Sequence, residues 1–589
     1  MLPVVARDHT LPCWPMRLLL CTLLSTVIAS GLAAETKAGL EPIPRAELPG
    51  PAKPQDDPIA ALGEGDDERV RAGLTTLSVS PFVAGLIERI ESHHRAKLPA
   101  PVLTWLGTRP AVRRDFWLAL DPADDVTAVG VVLEGLLRQQ AAACARLPQL
   151  AIATALVWDQ PRLVVTGQRL AIWGVNYHQF PVPLGPDAVF AWLAGGAKHL
   201  ACDITALPWQ ALVHVVDNDL DAADREWGQQ RYRLSPAKCE QLFFELTYDH
   251  QKLLERKGQL GARDYSLANL LKYGGVCGDQ AWYGSRLAKA QGVPSCIVLG
   301  LNSAGLGHAW HAYAVTPKAG TKGWRLATTG RYPGDRYYQG EVFDPQTGRT
   351  ASDRDFALVI AGSTTDATAF AEARALARCA AKLRVGAPAL CRQLAEAATK
   401  RSPYVAQGWR LLAGLAADGA IGSDTALATH QRLVAALPDH PDLDWECLQD
   451  FVAAHPTLAG KLYPDAFLRF RAADRPDLQI AVRAAQADAL VADGALAKAS
   501  DLVNETCAGM GAEGLFVLPL IERCVDLALA RQAADARFGF AKVHRALANA
   551  ESGFPMLRYQ ATTPAYLRYL DLVGKLHEPG WAAKHWQQP

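Results

Sequence analysis

The sequence has no surplus of charge: 60 lysines and arginines stand against 60 aspartates and glutamates in 589 residues. That balance gives no electrostatic footprint for nucleic acid or for an anionic membrane surface. Outside a short amino-terminal run, no stretch approaches the roughly 20 consecutive apolar residues that a membrane-spanning helix requires. Metal-ligand patterns are also missing. There is no Cys-x-x-Cys pair, and His93 and His94 are adjacent, so they do not share a helix face. Gly195-Gly196-Ala197-Lys198-His199 lacks the glycine directly before the lysine and the hydroxyl residue directly after it that a phosphate loop needs. Nothing in the pattern asks for a cofactor or a metal ion.

The chain opens on a targeting segment. Arg17 precedes the apolar run Leu18 to Ile28, and Ala29, Ser30, Gly31, Ala33 and Ala34 supply small residues for cleavage. Residues 1–34 therefore read as a signal peptide, with Met16 an alternative start, and the mature protein is expected to be exported, periplasmic or secreted. Cys21 has no small residue before it, which argues against a lipid anchor. Residues 35–58, with Pro42, Pro44, Pro49, Pro51 and Pro54, read as a flexible linker. Ten of the 12 cysteines lie beyond the leader. Cys379 with Cys391, and Cys507 with Cys524, are spaced to bridge neighbouring helices, although small buried thiols are the commoner fate.

Residues 59–203 form a mainly helical region, marked by Val83, Leu86, Ile87 and Ile90 and by Val126, Val129, Leu133, Leu136 and Leu137 at three- and four-residue spacing. Leu150 to Val157 is too short an apolar run to choose between helix and strand. Arg162 to Val165, near Gly167, predicts a short strand pair. Residues 204–362 change character. A helix from Pro236 and another from Gly278 to about Gln291 precede apolar runs at Ser295 to Leu301, His308 to Val315, Trp324 to Thr329 and Tyr337 to Phe343, bounded by glycine and proline as strands are. Residues 363–589 are rich in alanine and leucine, with helices expected over Ala369 to Leu383, Val405 to Leu415, Ile480 to Val491 and Val517 to Leu529. Paired helices of this length predict a carboxy-terminal α-solenoid-like array that offers a surface to protein partners. The fold class is thus multidomain and mainly α, with a central α+β domain.

Chemistry concentrates at Cys277. It follows Tyr273-Gly274-Gly275-Val276 and opens a helix, where the partial positive charge of the helix amino terminus favours a thiolate. Gly307-His308-Ala309-Trp310-His311-Ala312-Tyr313 supplies an imidazole on a strand. His308 and His311 point to opposite faces, so one alone can serve the thiol. His308, first after the glycine turn, is the better placed; the alternative is that both are structural and Cys277 is an inert buried thiol. Ala281, Gly284, Ser285 and Ala288 make a stripe of small residues that lets the helix backbone approach a sheet.

Gly275-Val276-Cys277-Gly278-Asp279-Gln280-Ala281, then Ala290-Gln291-Gly292-Val293-Pro294-Ser295, then Gly307-His308-Ala309-Trp310, resemble the transglutaminase-like superfamily over roughly residues 204–362. The resemblance implies a papain-like α+β domain, a nucleophilic Cys277, a base at His308 and an aspartate on a neighbouring strand. Where the family has its aspartate, Trp324-Arg325-Leu326-Ala327-Thr328-Thr329 offers threonine. Asp344, in Val342-Phe343-Asp344-Pro345, has the family's Asp-Pro context one strand late and is the expected third member; Asp335 competes and reads as a turn residue. The implied activity is thiol attack on an amide of a protein or peptide substrate through a thioester. Water resolves that thioester in a peptidase or amidase, and an amine resolves it in an acyl transferase. The competing expectation is a catalytically silent domain in a binding or scaffold protein.

Overall fold

The computed structural model describes residues 79–510 apart from 170, 197–199, 256, 303–306, 317–321 and 332–335, together with a few positions between 513 and 527. The expected leader and linker, Lys198, Asp335, Cys524 and most of Val517 to Leu529 lie outside the described residues. Two compact units divide the chain: one runs through Glu47–Asn302 and Gly307–Val482, the other takes in Arg483 onward.

Among the described residues of the larger unit, the first helices are α1 (Val79–His94), α2 (Ala100–Gly107), α3 (Pro110–Ala119), α4 (Val126–Arg146), α5 (Pro148–Trp158), α6 (Pro161–Arg169) and α7 (Pro186–Gly195). Prolines sit in the first turn of α3, α5 and α7, where the missing N–H has no intrahelical partner to lose. The Asp125 side chain caps α4 by accepting from the amides of Thr127 and Ala128. Helix α5 is buried from Leu150 to Trp158 on every face, so its sequence carries no amphipathic period. Residues Arg162 to Val165, expected as a strand pair, are instead part of α6. Pro161 starts that helix with φ already near the helical value, and three apolar residues were too few to fix the type.

Helices α8 (Trp209–Val216), α9 (Ala222–Arg231), α10 (Cys239–Glu245), α11 (His250–Glu255) and α12 (Leu267–Tyr273) lead to α13 (Cys277–Ala290). After α13 come β1 (Ser295–Leu301), β2 (Gly307–Val315), β3 (Arg325–Thr329), β4 (Glu341–Phe343) and β5 (Thr350–Ser352). They form one antiparallel sheet in the order β3-β2-β1-β4-β5, with His308 opposite Gly300 and His311 opposite Thr329. Helix α13 lies on β1 and β2. Its small-residue stripe is what permits this: a Cβ at Gly284 would stand 2.8 Å from the Nδ1 of His311.

Helices α14 (Asp353–Thr365), α15 (Ala367–Leu383), α16 (Pro388–Arg401), α17 (Ala406–Ala417), α18 (Ser423–Ala436), α19 (Pro441–Ala454) and α20 (Ala459–Ala472) follow. Helix α15 packs on α16 and α17, and α17 on α18 and α19, so each layer rests on the one before. Helix α15 also packs on α3, one hydrophobic cluster takes in residues from Val83 to Phe451, and a second, from Leu220 to Val315, surrounds α9 to α13. The first cluster draws residues from all three regions that the sequence reading separated, while the second lies within 204–362. Helix α21 (Pro476–Ala492) crosses the unit boundary, and α22 (Leu496–Met510) belongs to the second unit. Cys391 carries a free thiol, so no bridge to Cys379 is formed.

Candidate functional site

Cys277 opens α13 directly after the N-cap Val276. Asp279, three residues into α13, accepts the Val276 amide at 2.7 Å. The same carboxylate holds Lys252 Nζ at 2.8 Å through both oxygens and the Tyr265 hydroxyl at 2.8 Å. This buried knot fixes the start of the helix and with it the thiol. Burial pushes the Cys277 pKa up, the hydrogen bond from the Ala309 amide to the sulfur pulls it back, and the Asp279 charge adds to the rise. The helix terminus was expected to favour the thiolate. Here the cap itself carries negative charge and burial dominates, so the resting group is a thiol.

Ala309 donates to that sulfur, and its neighbour on β2 is His308. The Nε2 of His308 lies 2.6 Å from the Gly330 carbonyl oxygen. A carbonyl only accepts, so Nε2 carries the proton and Nδ1 is the basic nitrogen of the neutral ring. The imidazole is held between aromatic rings, with centroids 4.9 Å from Tyr337 and 6.3 Å from Phe243. Gly330 has φ of +80°, and a side chain there would run into the Phe243 ring, so only glycine presents this carbonyl without strain. His311, on the opposite face, is wholly buried with Nε2 2.7 Å from Ser295 Oγ. The Ser295 hydroxyl spends its single proton on the Ala312 carbonyl at 3.0 Å, so His311 Nε2 donates and its Nδ1 is left without a partner.

Asp344 lies elsewhere. It follows β4, and since Glu341 is opposite Leu299 while His308 is opposite Gly300, it stands four residues along and two strands across from the imidazole. That is about 13 Å along the sheet and about 10 Å across it. Its carboxylate closes the β4–β5 turn, accepting the Gln346 amide at 3.0 Å and the Thr347 hydroxyl at 2.8 Å, and burial raises its pKa. Thr329, beside the expected aspartate position, donates its hydroxyl to the Glu240 carbonyl at 2.8 Å. The Cys277 sulfur therefore sits near the β2 backbone at Ala309, one residue along the strand from His308, whereas Asp344 stands apart and His308 Nε2 meets a backbone carbonyl. The only sequence trace of that carbonyl is Gly330, directly after the two threonines.

Sequence reasoning also passed over a buried ionic layer behind the site. Arg286 and Asp219, both fully buried, meet at 2.5 Å, and Arg169 joins the same carboxylate at 3.1 Å. Lys289 meets Asp217 at 2.5 Å, with burial pulling the ammonium down to about 8 and Asp217 working against that. These pairs tie α13 to the chain just after α8, so the helix carrying the thiol cannot slide. The signal was present in Val215-Val216-Asp217-Asn218-Asp219, where an apolar run ends on two carboxylates.

A cleft of about 860 Å³ opens beside the imidazole, with Gly330, Arg331, Tyr337, Arg354, Asp442 and Arg475 among its walls. Among the described residues no group of three or more His, Cys, Asp or Glu is placed to hold a metal ion. No known family pattern, no curated protein and no solved structure matches the chain, so the site is read from its own geometry.

Proposed function

We propose that this chain is an exported thiol enzyme of transglutaminase-like kind, acting on amide bonds through Cys277 and His308. The observation that carries the reading is the β2 start: Ala309 donates to the Cys277 sulfur while the adjacent His308 is anchored through Nε2 on Gly330. This leaves Nδ1 as the base. The thiol proton passes to Nδ1 as sulfur bonds to the amide carbon, and the carbonyl π electrons move to oxygen. When the tetrahedral adduct collapses, the C–N bond breaks and the imidazolium protonates the leaving amine, leaving a thioester on Cys277. A water molecule, deprotonated by the same imidazole, then attacks the thioester; the C–S bond breaks, the imidazolium returns its proton to sulfur, and a carboxylic acid leaves. Because Cys277 rests as a thiol, proton transfer accompanies attack and the base matters to the rate. A neutral carbonyl keeps the productive tautomer, as an aspartate would, but gives the imidazolium less electrostatic support. Hydrolysis is preferred over transfer because no amine-donor site can be identified.

The second reading is a silent domain in a scaffold whose layered helices α15 to α20 bind protein partners. The raised Cys277 pKa favours it. p-Nitrophenyl acetate separates the two. The enzyme reading expects a burst of p-nitrophenolate, acetyl on Cys277 by peptide mass spectrometry, no burst in Cys277→Ala, and a rate about 10²- to 10⁴-fold lower in His308→Ala. A burst that survives Cys277→Ala, or a rate indifferent to His308, sinks it.

A further inference from the structure

The cleft beside His308 is lined by five arginines, Arg331, Arg336, Arg354, Arg469 and Arg475, and by four carboxylates. The carboxylates do not neutralise the cations evenly. Arg475 takes Asp442 through two bonds of 2.5 and 2.7 Å and takes Asp477 as well. Arg354 reaches the same Asp442 only at 3.5 Å and Asp353 at 3.8 Å, and its Nε has no hydrogen-bond partner. Among the described residues Arg331 makes no ion pair. Its guanidinium donates to the carbonyls of Tyr337 and Tyr338 and lies 6.0 Å from the Trp310 ring centroid. Burial, with Arg354 and Arg475 adding to it and Asp353 and Asp442 working against it, pulls its pKa down to about 10. A cation held off solvent with no carboxylate bonded to it is costly unless something supplies the anion.

A second observation is independent of charge. Among the described residues only two other than glycine have a left-handed backbone, Arg336 at φ +60° and Asp474 at φ +52°, and both line this cleft. Such strain gathers where a site must hold groups in a set place. The cleft also shares walls with the imidazole: Gly330 accepts from His308, and Tyr337 lies against its ring. Its volume falls within the range of small-ligand sites.

We propose that this cleft is the acyl-donor subsite and recognises a carboxylate on the substrate close to the amide that is cut, which makes the substrate an acidic peptide. Arg331 spends Nε and Nη2 on main-chain carbonyls and Arg354 spends Nη2 on the Tyr338 carbonyl, so at the less neutralised end of the cleft each guanidinium offers a substrate carboxylate its Nη1, one charge-assisted hydrogen bond from each. The proposal rests on the thiol-enzyme reading for the word donor, and its test does not.

The test is calorimetric titration of the full chain with two capped hexapeptides that differ only by glutamate against glutamine. The glutamyl peptide is expected to bind about tenfold more tightly, the worth of one such contact. Cys277→Ala is expected to keep the preference, so a failed acylation burst leaves this result standing and the two ideas fail separately. Arg331→Gln is expected to abolish the preference while melting at the wild-type temperature. Should Arg331→Gln not fold, the more exposed Arg354→Gln takes its place. Equal affinity for the two peptides in the wild type overturns the proposal. So does a preference that survives the arginine substitution, and so does binding of inorganic phosphate where the glutamyl peptide does not bind.

Discussion

At the scale of the residue, the site depends on which groups face a charge and which face a carbonyl. The placement of Cys277 at a helix start and of His308 at a strand start was legible because glycines mark where both elements begin. The third contact was not legible, because it is a main-chain oxygen, and a sequence does not show where a carbonyl points. Asp344 drew attention through its Asp-Pro context, but that context also suits a turn, and the turn is where its oxygens are spent. Asp344→Asn is therefore expected to leave Cys277 acylation within about twofold of wild type while lowering stability by about 1 kcal/mol through a weakened turn hydrogen bond. Burst kinetics and thermal melting on the same variant check both halves. A fall in acylation approaching that of His308→Ala, with stability unchanged, would return Asp344 to the site.

At the scale of the element, strands β1 to β3 were readable to within a residue at each end because glycine and proline bound them. Strand β5, three residues long, gave too short a pattern to register, and α6 was mistaken because the three-residue apolar run Leu163 to Val165 has no period. The stripe on α13 was read correctly as a packing surface, and what it packs on has a consequence for acid stability. His311 lies against Gly284, with Ser295 on its Nε2 and the Tyr313 ring 5.1 Å away. Burial, then the nearby charges of Lys289 and Arg286, hold its pKa down to about 3. In the unfolded chain the same ring titrates near 6.5. Above that pH neither state binds the proton. As pH falls from about 6.5 toward 3, the unfolded state gains a proton that the fold refuses, and stability is lost by up to about 1.4 kcal/mol per pH unit. His311→Gln, which keeps a donor for Ser295, is expected to make urea midpoints fall less steeply between pH 6.5 and pH 4. The buried carboxyls with raised pKa values, Asp159 and Asp224 among them, are common to both proteins and cancel in the comparison. Parallel acid limbs for the two proteins would show that His311 is not the group responsible.

At the scale of the whole molecule, periodicity divided residues 59–482 into helical, α+β and helical regions, and the division in secondary structure is real while the division in packing is not. Sequence composition marks where element types change; it does not mark which apolar faces meet. Those faces meet across both expected boundaries. Gln346, just after Asp344, donates to the Ala119 carbonyl at 3.0 Å, Arg378 of α15 donates to the Leu120 carbonyl at 2.8 Å, and α14 packs on both α8 and β3. A region cut out at 204 and 362 would expose the surface that α5 and α15 cover and would leave buried polar groups without partners. Residues 204–362 expressed alone are therefore expected to show no cooperative urea transition by tryptophan fluorescence, whereas residues 47–482, the whole of the larger compact unit, are expected to unfold in one sigmoidal step. A cooperative transition in the shorter piece would mean that the sheet and α13 hold the thiol and imidazole in place by themselves, and that the surrounding helices are free to have been recruited for partners rather than for the site.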